Sequence, residues 1–300
     1  MAADIVLRTE NLTKCYNKRP VVNNVNMTIN RGDIYGFVGK NGAGKTTFMK
    51  LVLRLAFPTS GNIELFGQTD FTLVGGRVGS LIETPSLYKE CSGYETLRRY
   101  SILYGADVNR IDDILRQVDL YDARNYAAGK YSLGMKQRLG IAIALLGDPE
   151  FMVLDEPVNG LDPVGIKSVT DLIHKLNRER GITFLISSHL LDNLARTATK
   201  IGMINNGFLL EELTLDELEA KSGNTITFMV DDVAKAKMAA AAMVDDGCIT
   251  LFENRLVIKT DFDKAAILNK KMVEDGVMVS GIIKNAKSLE DEYLERIGAK

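Results

Sequence analysis

Cysteine is scarce in this sequence, and its few cysteines are widely spaced. Cys15, Cys91 and Cys248 are the only three among 300 residues, and no two of them form a C-x-x-C pair. This spacing predicts neither a disulfide framework nor a cysteine metal site. We therefore expect buried, reduced thiols, which are typical of a cytoplasmic protein.

Long apolar runs and basic blocks are absent as well. Apolar runs such as residues 141–146 are far shorter than the roughly 20 residues of a membrane-spanning helix. The opening residues MAADIVLRTE contain early charges and no apolar stretch, so we expect no signal peptide there. The 37 basic residues are spread along the chain and form no patch that predicts nucleic-acid binding. Any role at a membrane therefore requires a separate membrane-spanning partner.

The composition is otherwise that of an ordinary soluble protein. The chain is 46% hydrophobic and 25% charged, with a formal net charge of −2. Its length is sufficient for a sizeable core and predicts two domains. The stretch Lys221-Ser222-Gly223-Asn224 has the composition of a linker, so we divide the chain into residues 1–220 and 221–300.

The two segments differ in their hydrophobic patterns. Up to residue 65 the pattern is mostly that of strands, and residues 94–125 show helical periodicity. Residues 151–154, FMVL, form a continuous apolar run that is typical of a strand buried in a parallel sheet. After residue 223 the patterns follow the order β-α-β-β-α-β, the ferredoxin-like order of a small α+β domain. A last helix is predicted over residues 289–297.

The clearest motif is FVGKNGAGKTTF at residues 37–48. It fits G-x-x-x-x-G-K-[ST], in which glycines let backbone N–H groups point at phosphate oxygens and the following helix adds its N-terminal dipole. The context favours this interpretation over a chance match in a glycine-rich turn, because residues 34–38 read as a buried strand and residues 48–55 as an apolar helix. We expect Lys45 on the β- and γ-phosphates and the Thr46 hydroxyl on Mg²⁺. The predicted nucleotide-binding residues of this loop are Gly39, Lys40, Asn41, Gly42, Ala43, Gly44, Lys45, Thr46 and Thr47.

An acidic pair follows the buried strand FMVL. Asp155 and Glu156 come directly after it. An aspartate at a strand tip can hold Mg²⁺, and a glutamate beside it can orient and deprotonate an attacking water. Such a pair also occurs at strand ends in proteins without this chemistry. With a P-loop upstream, it predicts a metal ligand at Asp155 and a general base at Glu156.

The next motif introduces a resemblance to the ATP-binding-cassette (ABC) ATPases. In YSLGMKQR, Ser132 and Gly134 stand where that family has its signature, usually LSGGQ. Leu133 and Met135 depart from the signature, and the stretch is also an ordinary capped amphipathic helix. The order of the motifs along the chain favours the family.

Three single residues extend this resemblance, which covers about residues 5–215. Asp162 in NGLD matches the D-loop, and His189 in ISSH matches the switch histidine that contacts the γ-phosphate. Tyr16 in LTKCYNKR matches the aromatic residue that stacks on adenine, whereas His174 is expected to be structural. The resemblance implies an α/β fold, a P-loop NTPase cassette with a mixed sheet core, an antiparallel β subdomain and a helical insert.

Glu83 is the position that departs from the family. The stretch VGSLI at residues 78–82 resembles a strand that is followed by glutamine in the family, and here Glu83 follows it. Two roles are open for this glutamate: an additional ligand of Mg²⁺, which we favour, or a contact with the membrane partner. The segments IETPSLY, YSLGMKQR and SLEDEYL together resemble the subfamily of bacitracin- and lantibiotic-type exporters.

The resemblance also implies partners and a function. Such cassettes form head-to-tail dimers with two ATP molecules at the interface, where the P-loop of one copy faces Ser132 and Gly134 of the other, and they drive a separate multi-span permease. We therefore expect a Mg²⁺-dependent ATPase that exports an antimicrobial peptide or drug, a cytoplasmic homodimer on the inner face of the membrane. Two alternatives are an importer ATPase whose C-terminal domain senses its ligand, and a soluble ABC protein acting on ribosomes or DNA.

Overall fold

The computed structural model describes residues 4–83, 85, 87–215, 217 and 224–285. The chain divides into two compact units, Met1–Leu215 and Asp216–Lys300. The predicted linker residues 221–223 and the predicted helix over residues 289–297 lie outside the described residues.

The described strands of the first unit are β1 (Ile5–Tyr16), β2 (Arg19–Asn30), β3 (Ile34–Val38), β4 (Ser60–Leu65), β5 (Val78–Leu81), β6 (Phe151–Leu154), β7 (Thr183–Ser188), β8 (Lys200–Asn205) and β9 (Phe208–Thr214). Its described helices are α1 (Lys45–Val52), α2 (Gly93–Tyr104), α3 (Ile111–Gln117), α4 (Leu133–Leu145), α5 (Pro163–Arg180) and α6 (Leu191–Ala195).

A six-stranded mixed sheet forms the centre of the first unit. Its strand order is β5-β6-β7-β3-β8-β9. Neighbouring strands from β5 to β8 in this order are parallel, and β9 at the edge pairs antiparallel with β8. Because the carboxyl ends of parallel strands lie at one edge of a sheet, the residues that follow β3, β6 and β7 come together. This edge therefore carries the P-loop, the pair Asp155-Glu156, and His189.

The two apolar runs predicted as buried strands are confirmed with both of their end residues. Strand β3 spans residues 34–38, strand β6 spans residues 151–154, and both are buried throughout. Helix α1 begins at Lys45, as expected for the helix that follows the P-loop, but it ends at Val52 and not at residue 55. Arg54 takes a left-handed conformation (φ 57°), which stops the helix, and Leu55 is 65% exposed. The prediction was wrong there because an apolar residue was counted as helical although it faces solvent.

A second sheet fixes the position of the helix that follows the P-loop. Strands β2, β1 and β4 form a three-stranded antiparallel sheet in that order. Its buried residues, among them Leu12 and Val25, belong to the same core as Phe37 of β3 and Phe48 of α1. The rings of Phe37 and Phe48 lie 5.1 Å apart, within the range of favourable aromatic pairs. The predicted antiparallel β subdomain is thus confirmed, and it packs α1 against the central sheet.

Three helices, α2, α3 and α4, lie between β5 and β6 in the chain and form the predicted helical insert. Ile111, Ile114 and Leu115 of α3 are buried, as their helical spacing predicts. Residues 139–145 of α4 are all buried. A helix that is apolar on all sides must be covered on all sides, which α2, α3, α5 and β5 achieve by packing around α4.

The turn between β8 and β9 supports the P-loop. Asn206 and Gly207 both have positive φ angles, 48° and 84°, as a two-residue hairpin of the Asn-Gly type requires. The Gly207 N–H donates to the carbonyl oxygen of Ala43 at 2.9 Å. A Cβ atom on Gly207 would lie 2.7 Å from the carbonyl oxygen of Val21, so no larger residue fits beside the loop.

The cysteines depart from the expectation of buried thiols. All three are free, but only Cys91 is buried. Cys15, near the end of β1, and Cys248, in a short 3-10 turn, are half-buried. The expectation is therefore correct for one thiol and wrong for two.

The second unit has the predicted element order β-α-β-β-α-β among its described residues. Its four strands pair antiparallel in the order β11-β12-β10-β13, and both helices contribute to one core with residues such as Phe228, Leu256 and Leu268. Its elements are β10 (Thr225–Val230), α7 (Val233–Ala241), β11 (Ile249–Phe252), β12 (Arg255–Lys259), α8 (Ala265–Glu274) and β13 (Val279–Asn285).

Glu150, just before β6, joins two arginines and makes the stability of the fold depend on pH. Arg77 Nε lies 2.5 Å from one carboxylate oxygen and Arg31 Nη1 lies 2.7 Å from the other. The hydrogen bond from Arg77, followed by that from Arg31, lowers the pKa of Glu150 to about 2. Since the folded pKa is below the ordinary 4.5, this stabilisation is complete above the ordinary pKa and is lost as the pH falls toward about 2.

We expect Glu150→Gln to lower the free energy of unfolding at pH 7 by on the order of 1 kcal/mol, because the side chain is 37% exposed and solvent screens the pairs. Urea unfolding of both proteins at pH 7, 5 and 4 measures this difference. It should shrink toward pH 4. A difference that stays constant with pH would show that the charge of Glu150 contributes nothing.

Candidate nucleotide-binding and catalytic site

The P-loop forms a concave turn of backbone between β3 and α1. Gly44, the residue before α1, has φ 110°, and a Cβ atom there would collide with the carbonyl oxygen of Val21. Glycine is therefore required where the backbone closes around a ligand. A cavity of about 190 Å³ lies at this turn and is lined by Val21, Asn41, Gly42, Ala43, Gly44, Lys45, Thr46, Thr47 and Glu156. The cavity lies at the N-terminus of α1, where free backbone N–H groups and the helix dipole favour phosphate.

Lys45 supplies a positive charge inside this cavity. Its side chain is buried, and its Nζ donates to the carbonyl oxygen of Gly39 at 2.6 Å. The same Nζ lies 3.3 Å from Glu156 Oε1. This ion pair lacks hydrogen-bond geometry, and Oε1 has no hydrogen-bond partner among the described residues. A buried carboxylate oxygen without a hydrogen bond is available to a reacting group.

Thr46 and Asp155 form the group of oxygen atoms that fits a magnesium ion. The Thr46 hydroxyl donates to Asp155 Oδ2 at 2.7 Å, and Asp155 is buried at the end of β6. Mg²⁺ prefers hard oxygen ligands and is usually held by one or two carboxylates together with the phosphates of the nucleotide. Within the described part of the chain, no group of three or more His, Cys, Asp or Glu residues is arranged for a metal. These residues thus fit Mg²⁺ held jointly with a nucleotide.

Glu156 and His189 meet at the same edge. His189 Nδ1 lies 2.9 Å from Glu156 Oε2, although the two residues are 33 positions apart. Glu156 itself has a left-handed backbone (φ 48°), which turns its side chain out of the sheet and toward the P-loop cavity that it lines. The predicted neighbourhood of Lys45, Thr46, Asp155, Glu156 and His189 is therefore present.

Tyr16 lies apart from these charged groups, at the end of β1. Its ring is 49% exposed, and Lys14 Nζ lies 4.9 Å from the ring centroid. An exposed aromatic ring can stack on a flat ligand. The role of Tyr16 in adenine binding stays a prediction.

Ser132, Gly134 and Asp162 line a different cavity. It has a volume of about 430 Å³ and is lined by residues at the starts of α4 and α5. Ser132 Oγ accepts from the N–H of Met135 at 3.2 Å, and Asp162 Oδ1 accepts from the N–H of Gly165 at 2.9 Å, so both side chains cap helices. This cavity shares no lining residue with the cavity at the P-loop. Ser132 and Gly134 are predicted signature residues and Asp162 is the predicted D-loop residue. Their position in this cavity is consistent with a second molecule reaching them.

Glu83 is paired with a lysine of α1. Lys50 Nζ lies 2.9 Å from Glu83 Oε1, and the Glu83 side chain is 66% exposed. Its hydrogen bond to Glu83 is the main cause of a raised pKa at Lys50. The assignment of Glu83 to the metal stays a prediction. Sequence reasoning missed this ion pair, because nothing in the local pattern relates the two positions.

We expect Glu83→Gln to raise the Mg²⁺ concentration needed for half-maximal ATPase activity, since a neutral amide is a weaker ligand than a carboxylate. Nucleotide binding in excess Mg²⁺ should change little. Lys50→Met is the matched control, because it removes the same ion pair and keeps the carboxylate. An unchanged Mg²⁺ titration of Glu83→Gln would rule out the metal role, and an equal shift in both variants would assign the effect to the ion pair.

The side chains of His174 and Ser187 both make hydrogen-bond contacts with other elements of the fold. His174 Nε2 lies 3.1 Å from the carbonyl oxygen of Arg196, which agrees with the structural role expected for it. Ser187, two positions before His189, contacts both acidic residues, and sequence reasoning missed it. The available signal was a pair of serines at the tip of an otherwise apolar strand.

A backbone cradle for phosphate, with a metal-binding aspartate and a glutamate at one edge of a parallel sheet, defines the class of P-loop nucleotide hydrolases. Comparison with known proteins gives the family. Residues 22–159 match the family model described as ABC transporter. The bacitracin transport ATP-binding protein BcrA of Bacillus licheniformis is 40% identical over 298 residues, which cover 98% of this chain and 97% of the relative. The chain belongs to the ATP-binding subunits of ABC transporters, and it is an ATPase that binds ATP with Mg²⁺.

Two other similarities cover about three quarters of the chain. The lantibiotic transport ATP-binding protein SrtF of Streptococcus pyogenes is 40% identical, and the match covers 74% of this chain and 98% of the relative. The structure of cbiO1 from Clostridium perfringens, part of the ABC transporter complex cbiONQ, is 25% identical with a TM-score of 0.68 and covers 73% of this chain and 92% of its own. Nearly the whole length of each of these two proteins is therefore matched. The share of this chain that stays unmatched is similar to the share that the second unit occupies.

Proposed function

We propose that this chain powers the export of an antimicrobial peptide, antibiotic or drug through a separate membrane permease. The observation that carries the proposal is the similarity to the bacitracin transport protein over nearly the full length of both chains. The lantibiotic relative points to the same class of cargo. Neither relative favours the importer or the soluble-protein alternative.

The catalytic roles follow from the contacts at the sheet edge. Lys45 and the P-loop N–H groups would bind the β- and γ-phosphates of ATP, and Thr46 with Asp155 would hold the metal ion. Mg²⁺, when bound, neutralises phosphate charge. Glu156 would accept a proton from the water that attacks the γ-phosphorus, while the bond from this phosphorus to the bridging oxygen breaks and ADP leaves. Its Oε1, which has no hydrogen-bond partner among the described residues, is the atom available for this. His189, 2.9 Å from Oε2, orients the carboxylate and would contact the γ-phosphate.

The second cavity supports a dimer of cassettes. Ser132, Gly134 and Asp162 line a cavity that is separate from the P-loop of their own chain. In a head-to-tail homodimer, this surface would close over the nucleotide held by the P-loop of the other copy. Tyr16 of the copy that holds the nucleotide would stack on the adenine. Closure on ATP and opening after hydrolysis then supply the motion that drives the permease.

The membrane partner must supply the transport path. No helix in the described part of the chain is long and apolar enough to cross a bilayer. The similarity to transport ATP-binding proteins supports a place on the cytoplasmic face of the membrane, attached through the permease. Purification of the tagged chain from membranes, followed by identification of the co-purifying proteins, tests this. We expect a multi-span permease; recovery of ribosomes or nucleic acid instead would refute the proposal.

The second unit is proposed to regulate or assemble the transporter and to take no part in chemistry. The lantibiotic relative matches at 98% of its own length while leaving a quarter of this chain unmatched, so a cassette of this kind exists without the extra unit. The described part of the second unit contains no histidine and no P-loop.

A chain that stops near residue 222 is expected to bind Mg-ATP with an affinity within about threefold of the full chain, a difference below 1 kcal/mol. Calorimetry and thermal unfolding of both proteins measure this. A truncated chain that does not fold would show that the second unit belongs to the core of the cassette.

A further inference from the structure

We propose that Ser187 is a positioning residue that holds Asp155 and Glu156 in their working orientations. The inference rests on the roles proposed for those two residues. Ser187 lies at the carboxyl end of β7, where it is fully buried. It touches neither cavity and is 31 and 32 positions from its partners.

One hydroxyl group serves both acidic residues. Ser187 Oγ donates to Asp155 Oδ1 at 2.5 Å and accepts from the backbone N–H of Glu156 at 2.9 Å. A serine hydroxyl has a single proton to donate and lone pairs to accept with. Both capacities are used, so a single hydroxyl group contacts the side chain of Asp155 and the backbone of Glu156.

The contact to Asp155 completes the fixation of its carboxylate. Oδ2 accepts from Thr46 of α1 and Oδ1 accepts from Ser187 of β7. Hydroxyls on two different elements therefore set the plane of the carboxylate before any ligand arrives. Without Ser187 the buried Oδ1 would lose this partner, and the carboxylate would be free to rotate away from the metal-binding orientation.

The contact to Glu156 replaces a missing sheet bond. Strand β6 pairs with β7 as far as Leu154 opposite Ile186, and the chain then leaves the sheet. Glu156 adopts a left-handed backbone that a residue with a side chain rarely takes. Its N–H finds its partner in the Ser187 side chain, which stabilises this conformation and turns the glutamate toward the cavity.

Ser187→Ala is expected to lower kcat for ATP hydrolysis by about tenfold to a hundredfold, the usual effect of removing a residue that orients a metal ligand. The KM for ATP should stay within about threefold, because the P-loop is untouched. Two readouts do not depend on turnover. The amide hydrogen of Glu156 should exchange faster in the free protein, and nucleotide binding measured by calorimetry should require more Mg²⁺.

Thr183→Val is the matched control. Thr183 is also buried in β7, at the opposite end, where its Oγ1 accepts from the N–H of Gly32 at 2.9 Å. This variant removes a buried hydroxyl of the same strand, so it should lower the unfolding temperature and leave kcat and Glu156 exchange unchanged. Equal effects of both substitutions on stability with no change in kcat for either would overturn the positioning role.

Ser187→Thr covers the case in which the alanine variant does not fold, since it keeps the hydroxyl. It should retain kcat within about threefold of the wild type and show wild-type exchange at Glu156. A loss as large as that of Ser187→Ala would also overturn the proposal. Failure of the general-base role on which this inference rests is distinguishable, because it would appear as undiminished turnover in Glu156→Gln. Failure of the proposed export function would appear separately, in the proteins that co-purify with the chain.

Discussion

Replacing Glu156 with glutamine is expected to lower ATP turnover by roughly 10²–10⁴ while nucleotide binding is kept, the range for the loss of a general base. Glutamine has the shape of glutamate, so the substitution tests the charge and the proton-accepting capacity of the side chain. The structure explains why the loss should be large. Glu156 Oε1 is buried without a hydrogen-bond partner, and Oε2 is already beside His189.

In the proposed cycle hydrolysis opens the dimer, so the Glu156→Gln protein should also accumulate as an ATP-bound dimer. Phosphate release and size-exclusion chromatography with Mg-ATP measure the two effects. Glu150→Gln makes the same chemical change at the other end of β6 and should keep normal turnover. A monomeric Glu156→Gln protein with wild-type turnover would place the general base elsewhere.

Replacing Lys45 with alanine is expected to abolish tight nucleotide binding. The Lys45 ammonium group is the buried positive charge of the P-loop cavity and is held at the loop by the carbonyl oxygen of Gly39. Backbone N–H groups carry only partial charges, which do not balance the charge of a triphosphate. Without Lys45, the nearby carboxylate of Glu156 would also face the phosphates unopposed.

Calorimetric titration with Mg-ATP measures this loss, which should exceed about a hundredfold in Kd, or roughly 3 kcal/mol. Lys175→Ala, which removes a half-buried lysine from α5, is the control and should bind normally. Wild-type affinity of Lys45→Ala would contradict the assignment of the P-loop.

The strands that carry the site were predictable from local sequence. Strands β3 and β6 are continuous apolar runs bounded by polar residues, so burial on both faces fixes their limits. The Asn206-Gly207 hairpin is equally recognisable in the sequence, because Asn-Gly is one of the few pairs that accept two positive φ angles at low cost. Leu55 misled the prediction for α1, since an exposed leucine has the same sequence signal as a buried one.

The contacts within the site were not predictable in this way. The bond between Thr46 and Asp155 joins positions 109 residues apart, and those of Ser187 and His189 join separate strands. Their residue types were visible in the sequence, and the resemblance to a family suggested most of their roles. Their distances arise from parallel strand order, which brings three strand ends to one edge.

ATP-driven movement of a peptide across the membrane tests the central claim most directly. Inside-out vesicles would be prepared from cells that contain this chain and its permease, and the uptake of a labelled bacitracin-type peptide would be followed with and without ATP. The account predicts ATP-dependent accumulation in these vesicles with the wild-type chain and none with Glu156→Gln. Equal accumulation with both chains, or ATP-dependent uptake only in right-side-out vesicles supplied internally with ATP, would contradict it.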